Sequence, residues 1–371
     1  MINQKLLFLL AAIILHINVI AQGNSDTIPS DKSEISLLFI GDFMGHQDQI
    51  DAAWDSASGS YNYDSCFTYI KPLLSDADFT IANIETTLGI KPYSGYPQFS
   101  SPPSFAAAIQ NAGVDILATT NNHSVDKSKA GMERTLHILD SLNISHLGTY
   151  YSPQDKDSLS PLIIEKNGIK IALLSYTYGT NSLIPVPPNI VNYLDSNTIA
   201  TDVKNAKALN PDVIIAYVHW GIQYKDYADK SQKVWNEYFK SLGVKIVIGS
   251  HPHVVQPMLW NKEDSSLVVY SLGNFISHQR TFPRDGGAAF KLILEKKDST
   301  VIIKEANYAL SWVYEPVING KKQYYVLPVK DFENNPDFFT KRKDYDKMIR
   351  YIKHARALFK RENLNVSEYP E

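Results

Sequence analysis

Val244–Pro257 reads VKIVIGSHPHVVQP. Its first half is an apolar run with the length and β-branched content of a buried strand. The run stops at Gly249–Ser250, and two imidazoles follow, His251 and His253, on either side of a proline. In extended backbone, side chains two apart share a face, and Pro252 fixes φ between them. The stretch therefore reads as a strand that ends in a pair of ligands aimed the same way.

The same grammar recurs along the chain. ISLLFIGD runs into Asp42, DFTIANIE into Glu85, and GVDILATTNNH into Asn122 and His123. PDVIIAYVHWG runs into His219, and SLVVYSLGNF into Asn274. Helical patterns fill the gaps at 104–113, 129–143, 201–210 and 233–243, two of them closed by a glycine. Strand alternating with helix predicts an α/β protein. In such sheets ligands bind beyond the carboxyl ends of the strands, so these polar groups are expected to converge on one edge. From residue 286 the pattern changes to long strands that turn near Lys297–Ser299. A further strand, KKQYYVLPV, and an amphipathic helix, DYDKMIRYIKHARALFKREN, follow.

Two carboxylates, a carboxamide and several imidazoles form a mixed oxygen and nitrogen donor set. It suits Mn, Zn or Fe rather than calcium. There are enough donors for one or two ions, with a carboxylate bridging a pair about 3.5–4 Å apart. The single cysteine, Cys66, excludes an intrachain disulfide and a thiolate cluster.

The chain has 371 residues, 44% hydrophobic and 20% charged, with a net charge of −3. That balance gives no pull toward nucleic acid. Residues 1–21 carry one early lysine, an apolar core and a small residue at Ala21, the pattern of a secretory signal peptide. Export to the periplasm or the extracellular space is the expectation, with membrane attachment only if this segment stays uncleaved. Residues 22–34 read as a linker, 35–316 as the main domain, and 317–371 as a C-terminal strand and helical extension, whose part from about residue 330 onward is expected outside the catalytic core, packed on it or meeting a partner. No G-x-x-x-x-G-K-[ST] stretch is present.

The ordered series G-D-F-M (41–44), A-N-I-E (82–85), T-N-N-H-S-V-D (120–126), V-H-W-G (218–221), G-S-H-P-H-V-V-Q-P (249–257) and Y-S-L-G-N-F (270–275) resembles the CapA-type poly-γ-glutamate capsule synthesis proteins. These in turn are similar to the calcineurin-like metallophosphoesterases. The resemblance implies a four-layer αββα sandwich with a C-terminal helical extension. It implies Asp42 and His253 on one metal, Glu85 bridging, and Asn122, His219 and His251 on a second. His123 would contact substrate as acid or electrostatic stabiliser. The family pattern Asp-x-His is here Asp42-Phe43-Met44, so one ligand is missing. His46 substitutes only if its loop turns back.

Around this set, Asn274 and Asp126 are candidates for orienting groups, Asp126 toward His123. Trp220, with Tyr224 and Tyr227, is a candidate platform for a polymer or sugar, and Tyr176, with Tyr178, a candidate cleft wall. Arg280 and Arg284 are candidates to meet an anionic group, and His278 to approach the pocket. The implied function is that of a metal-dependent hydrolase of surface-polymer synthesis or processing, in which metal-activated water attacks a phosphoester or amide. The alternative is a non-catalytic, metal-stabilised accessory protein that binds an anionic polymer or a capsule-assembly or export partner.

Overall fold

The computed structural model describes residues 33–369. The signal-peptide reading, and all but the end of the linker reading, lie outside them. The first strand, Glu34–Phe43, begins at the expected linker boundary.

Two sheets face each other. The first runs in the order Tyr325–Pro328, Thr300–Tyr314, Gly286–Lys297, Glu34–Phe43, Phe79–Ile84, Ile116–Ala118, Ser145–Leu147. Its last four strands are parallel and the others antiparallel. The second runs Leu162–Lys166, Ile169–Thr177, Val213–His219, Ile246–Ser250, Ser266–Val269, Met258–Asn261, with a parallel centre and antiparallel edges.

Period-two alternation assigns the faces. Ile35, Leu37 and Phe39 point into a core shared with Ile171, Leu173, Ile215, Tyr217, Ile246 and Ile248 of the second sheet. Leu38, Ile40, Ala82 and Ile84 point the other way, onto the helices Pro103–Asn111 and Ser128–Ser141. Ala172, Leu174, Tyr176, Ala216 and Val218 likewise pack outward on the helices Ser196–Ala208 and Lys230–Ser241. The layers are therefore helix, sheet, sheet, helix, as expected. The Tyr217 hydroxyl donates to the Ile40 carbonyl at 2.7 Å, tying the two sheets together within this core.

The C-terminal region packs on the core. Tyr325–Pro328 is a hydrogen-bonded strand of the first sheet. The helix Arg342–Glu362 sends Met348, Tyr351, Ile352, Leu358 and Phe359 into the same cluster that fills the space between the sheets. The sequence showed the helix to be amphipathic but not what its apolar face covers. That face closes the core against the long strands, with the Tyr351 hydroxyl on the Gly287 carbonyl.

Candidate metal centre

The alternation that builds the core also aims the site. Asn83 and Glu85 continue the inward parity of Ile81, and His219 that of Ile215 and Tyr217. Asp42 has the parity of the outward Leu38 and Ile40, but the pairing register shifts between Ile40 and Asp42. This bulge turns Asp42 inward and leaves Phe43 in the helix-side layer. It is possible because residue 41 is glycine: a Cβ there would lie 2.0 Å from the Gly273 carbonyl oxygen.

His251 and His253 do converge with this set, but not by the extended geometry read from the sequence. Both have positive φ, 99° and 59°, and residues 251–254 form a series of bends. Side chains rarely adopt such backbone, at about 1–3 kcal/mol per residue. The curl places the His251 ring 4.7 Å from that of His219 and turns His253 toward Asp42.

Two groups of three donors result, each with its ligand atoms within 4.8 Å of one another: Asp42, Glu85, His253 and Glu85, His219, His251. Glu85 belongs to both. All five side chains are buried. Asn122 adjoins the second group, its Oδ1 2.7 Å from His219 Nε2. Its amide nitrogen donates to Asn181 Oδ1 at 3.2 Å, which holds the oxygen toward the imidazole.

Neighbours fix the donors. Asn83 Nδ2 donates to Asp42 Oδ1 at 2.7 Å, and Asn121 Nδ2 donates to Asn83 Oδ1. Ser250 Oγ lies 2.9 Å from His219 Nδ1, which leaves Nε2 for the site. Asn274 Oδ1 lies 3.0 Å from His253 Nδ1, so Asn274 orients that ring. His123 Nδ1 lies 2.7 Å from Asp126 Oδ2, which also accepts the Phe99 backbone N–H at 2.6 Å. Asp126 thus both orients His123 and pins the loop.

Electrostatics supports a cation here. Neither oxygen of the fully buried Glu85 has a hydrogen-bond partner. The nearest imidazole nitrogens are His219 Nε2 at 3.6 Å and His253 Nε2 at 3.8 Å. Burial, with the Asp42 carboxylate beside it, pushes the Glu85 carboxyl well above its usual range. Burial, and then the neighbouring imidazoles, hold His219 and His251 well below theirs. Neutral imidazoles are in the state a divalent ion requires, and a cation bound beside Glu85 would favour the ionised carboxylate that burial and Asp42 oppose. These residues could hold such an ion; its identity is open among the first-row metals.

Several expectations are corrected. Trp220 follows inward His219 and so faces outward; it is 1% exposed among the helix-side residues, with its Nε1 donating to the Tyr270 carbonyl. Tyr176 has the same outward parity and bonds Asp202, so it lines no cleft. Tyr178, just past the strand, lies against His251 with ring centroids 4.5 Å apart. Arg280 is held by Glu315, 2.8 Å, and by the Val313 carbonyl. His278 pairs with Glu315 as well. Arg284 stacks on the Tyr224 ring, 3.3 Å from its centroid. Tyr227 is 54% exposed and its carbonyl accepts from Gln256. His46 caps the helix Gln47–Ala53 and accepts the His278 backbone N–H at 3.2 Å. Its pKa falls to about 4 through burial, and it belongs to neither donor group. Cys66 is buried in the helix-side layer, its thiol pushed up to about 12 by burial.

Asn83, Ser250 and Asn181 were not singled out as orienting groups in the sequence. Strand parity with Glu85 and with Ile248 marks the first two; nothing local marks Asn181, which lies in an irregular loop.

The centre lies at the floor of a cleft of about 760 Å³ whose walls include Met44, His46, Asn122, His123, Tyr178 and Tyr224. Met44 occupies the position where the resemblance calls for a histidine, and Gln279 Nε2 lies 3.7 Å from its sulfur.

Comparison with known proteins agrees with the residue pattern. The chain is 25% identical over 254 residues to the PGA biosynthesis protein CapA of Bacillus subtilis, covering 66% of this chain and 64% of that one. It is 23% identical over 264 residues to the capsule biosynthesis protein CapA of Bacillus anthracis, covering 67% of this chain and 61% of that one. The chain thus spans somewhat under two thirds of these relatives' length. Among solved structures, the calcineurin-like phosphoesterase YfkN of Bacillus subtilis aligns at TM-score 0.43 and 13% identity, over 88% of this chain and 97% of that one. The Haemophilus influenzae NAD nucleotidase aligns at TM-score 0.44 and 13% identity, over 88% and 60%. The model of the bacterial capsule synthesis protein family PGA_cap matches residues 36–279, more than half of the sequence, and the chain belongs to that family.

Proposed function

We propose that this protein is an exported, metal-dependent hydrolase acting on a surface polymer or its precursor, at a phosphoester or amide bond. The observation that carries the reading is the Glu85 carboxylate, fully buried, without a hydrogen bond, and common to both donor groups. An ionised carboxylate buried so costs several kcal/mol unless a cation compensates it or a proton neutralises it.

Asp42, Glu85 and His253 would hold one ion, and Glu85, Asn122, His219 and His251 another. A bound divalent ion supplies Lewis acidity and lowers the pKa of a coordinated water. The chain's own contribution centres on His123. With Nδ1 held by Asp126, its Nε2, which has the Asn181 amide nitrogen at 3.5 Å, is the atom that would exchange a proton with a leaving group in the cleft. The half-exposed Tyr178 shields the imidazoles from one side.

One observation favours a binding role without turnover: Met44 stands where a further ligand would complete the Asp42 group. Both readings meet in one experiment. The Mn²⁺-loaded protein is assayed on aryl phosphate mono- and diesters and on a γ-glutamyl amide, beside His123→Ala. Catalysis predicts a loss of about 10²- to 10⁴-fold with the bound metal retained. Metal binding without turnover of any substrate by the parent supports the accessory role.

A further inference from the structure

A second cleft, of about 880 Å³, lies beside the metal cleft. The ridge between them is thin. His46 lines the metal cleft and Gln47 the other; Tyr96 lines the metal cleft and Tyr93 the other. The ridge is seated on the helix start, with the Gly95 N–H donating to Gln47 Oε1 at 3.4 Å. A Cβ on Gly95 would come within 2.4 Å of the Gln47 backbone nitrogen.

The second cleft is aromatic. Trp54 and Tyr61 are cross-strand partners with ring centroids 4.9 Å apart, and Tyr61 meets Tyr93 edge-on at 5.3 Å. Trp54 is 41% exposed, and Tyr96, on the ridge itself, 76%. Charge there is balanced, Lys91 against Asp51. Among the described residues, no lysine or arginine lines the metal cleft; its walls offer carboxamides such as Gln98, Gln223 and Gln279.

A polyanion calls for cationic walls along its length, beyond the metal centre itself. Exposed aromatic rings beside carboxamides suit a ligand that presents flat C–H faces and hydroxyls together. We propose that the two clefts form one track for an extended, uncharged sugar chain, with Trp54, Tyr61 and Tyr93 as the distal subsite. The direction of the track rests on the metal centre being where chemistry occurs, in this case on an amide substituent of the sugar, since an uncharged chain carries no phosphoester; the binding itself does not.

The test is calorimetric titration of the full, Mn²⁺-loaded chain with chito-, cello- and maltohexaose and with poly-γ-glutamate. At least one neutral hexasaccharide is expected to bind saturably, with little dependence on salt. Trp54→Ala is expected to weaken it about tenfold or more, the size of a central aromatic contact, and Trp54→Phe to restore most of it. Unchanged metal content and melting transition in these variants show that the fold is intact. The proposal is overturned if no hexasaccharide saturates, if Trp54→Ala stays within about twofold of the parent, or if poly-γ-glutamate binds more tightly than every sugar. Binding is read directly, so a protein that binds the sugar yet hydrolyses nothing would sink the hydrolase reading and leave this one standing.

Discussion

Glu85 sits between two demands. In the metal-free protein no protein donor reaches its carboxyl group, so replacement by an apolar side chain of similar volume relieves the fold. With metal bound, the same replacement removes the one side chain common to both donor groups. Glu85→Met is therefore expected to raise stability in chelator, by about 1–3 kcal/mol, the penalty typical of an unsatisfied buried group. With Mn²⁺ present it should lower both stability and metal content. Melting curves with and without chelator, beside metal analysis, check this; a variant that melts lower in both conditions contradicts it. Met44 invites the opposite manipulation. It is 2% exposed and borders the cleft beside Asp42. Met44→His supplies an imidazole to the group that has Asp42, Glu85 and His253. Its expected outcome is a higher number of bound ions per chain by metal analysis.

Strands and their terminal loops convert sequence into aim. The bulge at Gly41 shows how narrow the tolerance is: one residue of register separates an Asp42 facing the site from one facing the helices. Gly41→Ala would push a Cβ into the Gly273 carbonyl. A loss of about 1–3 kcal/mol or more is expected, with metal affinity reduced alongside it, both measurable by denaturant unfolding and metal titration. Much of this scale was legible. The repeated apolar run ending in a polar residue located the strands, and period two, carried one residue further, turns Trp220 away from His219. The curl at His251 and His253 was not legible, because positive φ at residues other than glycine is imposed by surroundings rather than encoded locally. Nor was the choice of Tyr178 over Tyr176. The strand Ile169–Thr177 is apolar on both faces, so its sequence does not say which side meets the helices.

At the scale of the molecule, the fold class was readable from the alternation of strands and helices, whereas the place of the C-terminal helix was not. An amphipathic pattern says that a face is covered, and only the tertiary structure says by what. Met348, Tyr351, Ile352, Leu358 and Phe359 are all buried. At roughly 1.5–3 kcal/mol for each such side chain, their removal approaches or exceeds the whole stability of a typical domain, about 5–15 kcal/mol. A chain truncated after Lys341 is thus expected to be insoluble or unfolded, as judged by expression and circular dichroism. A truncated chain that folds and binds metal contradicts this.

The two sheets divide the donors between them. Asp42 and Glu85 come from the first; His219 and His251 come from the second, across an interface that the Tyr217 hydroxyl stitches to the Ile40 carbonyl. Neither half of the sandwich owns a complete coordination sphere. An ion held there acts as a rivet, and it can be seated only once both halves have docked. Uptake of metal would then be a readout of finished assembly, telling a closed molecule from one whose halves have formed but not yet met.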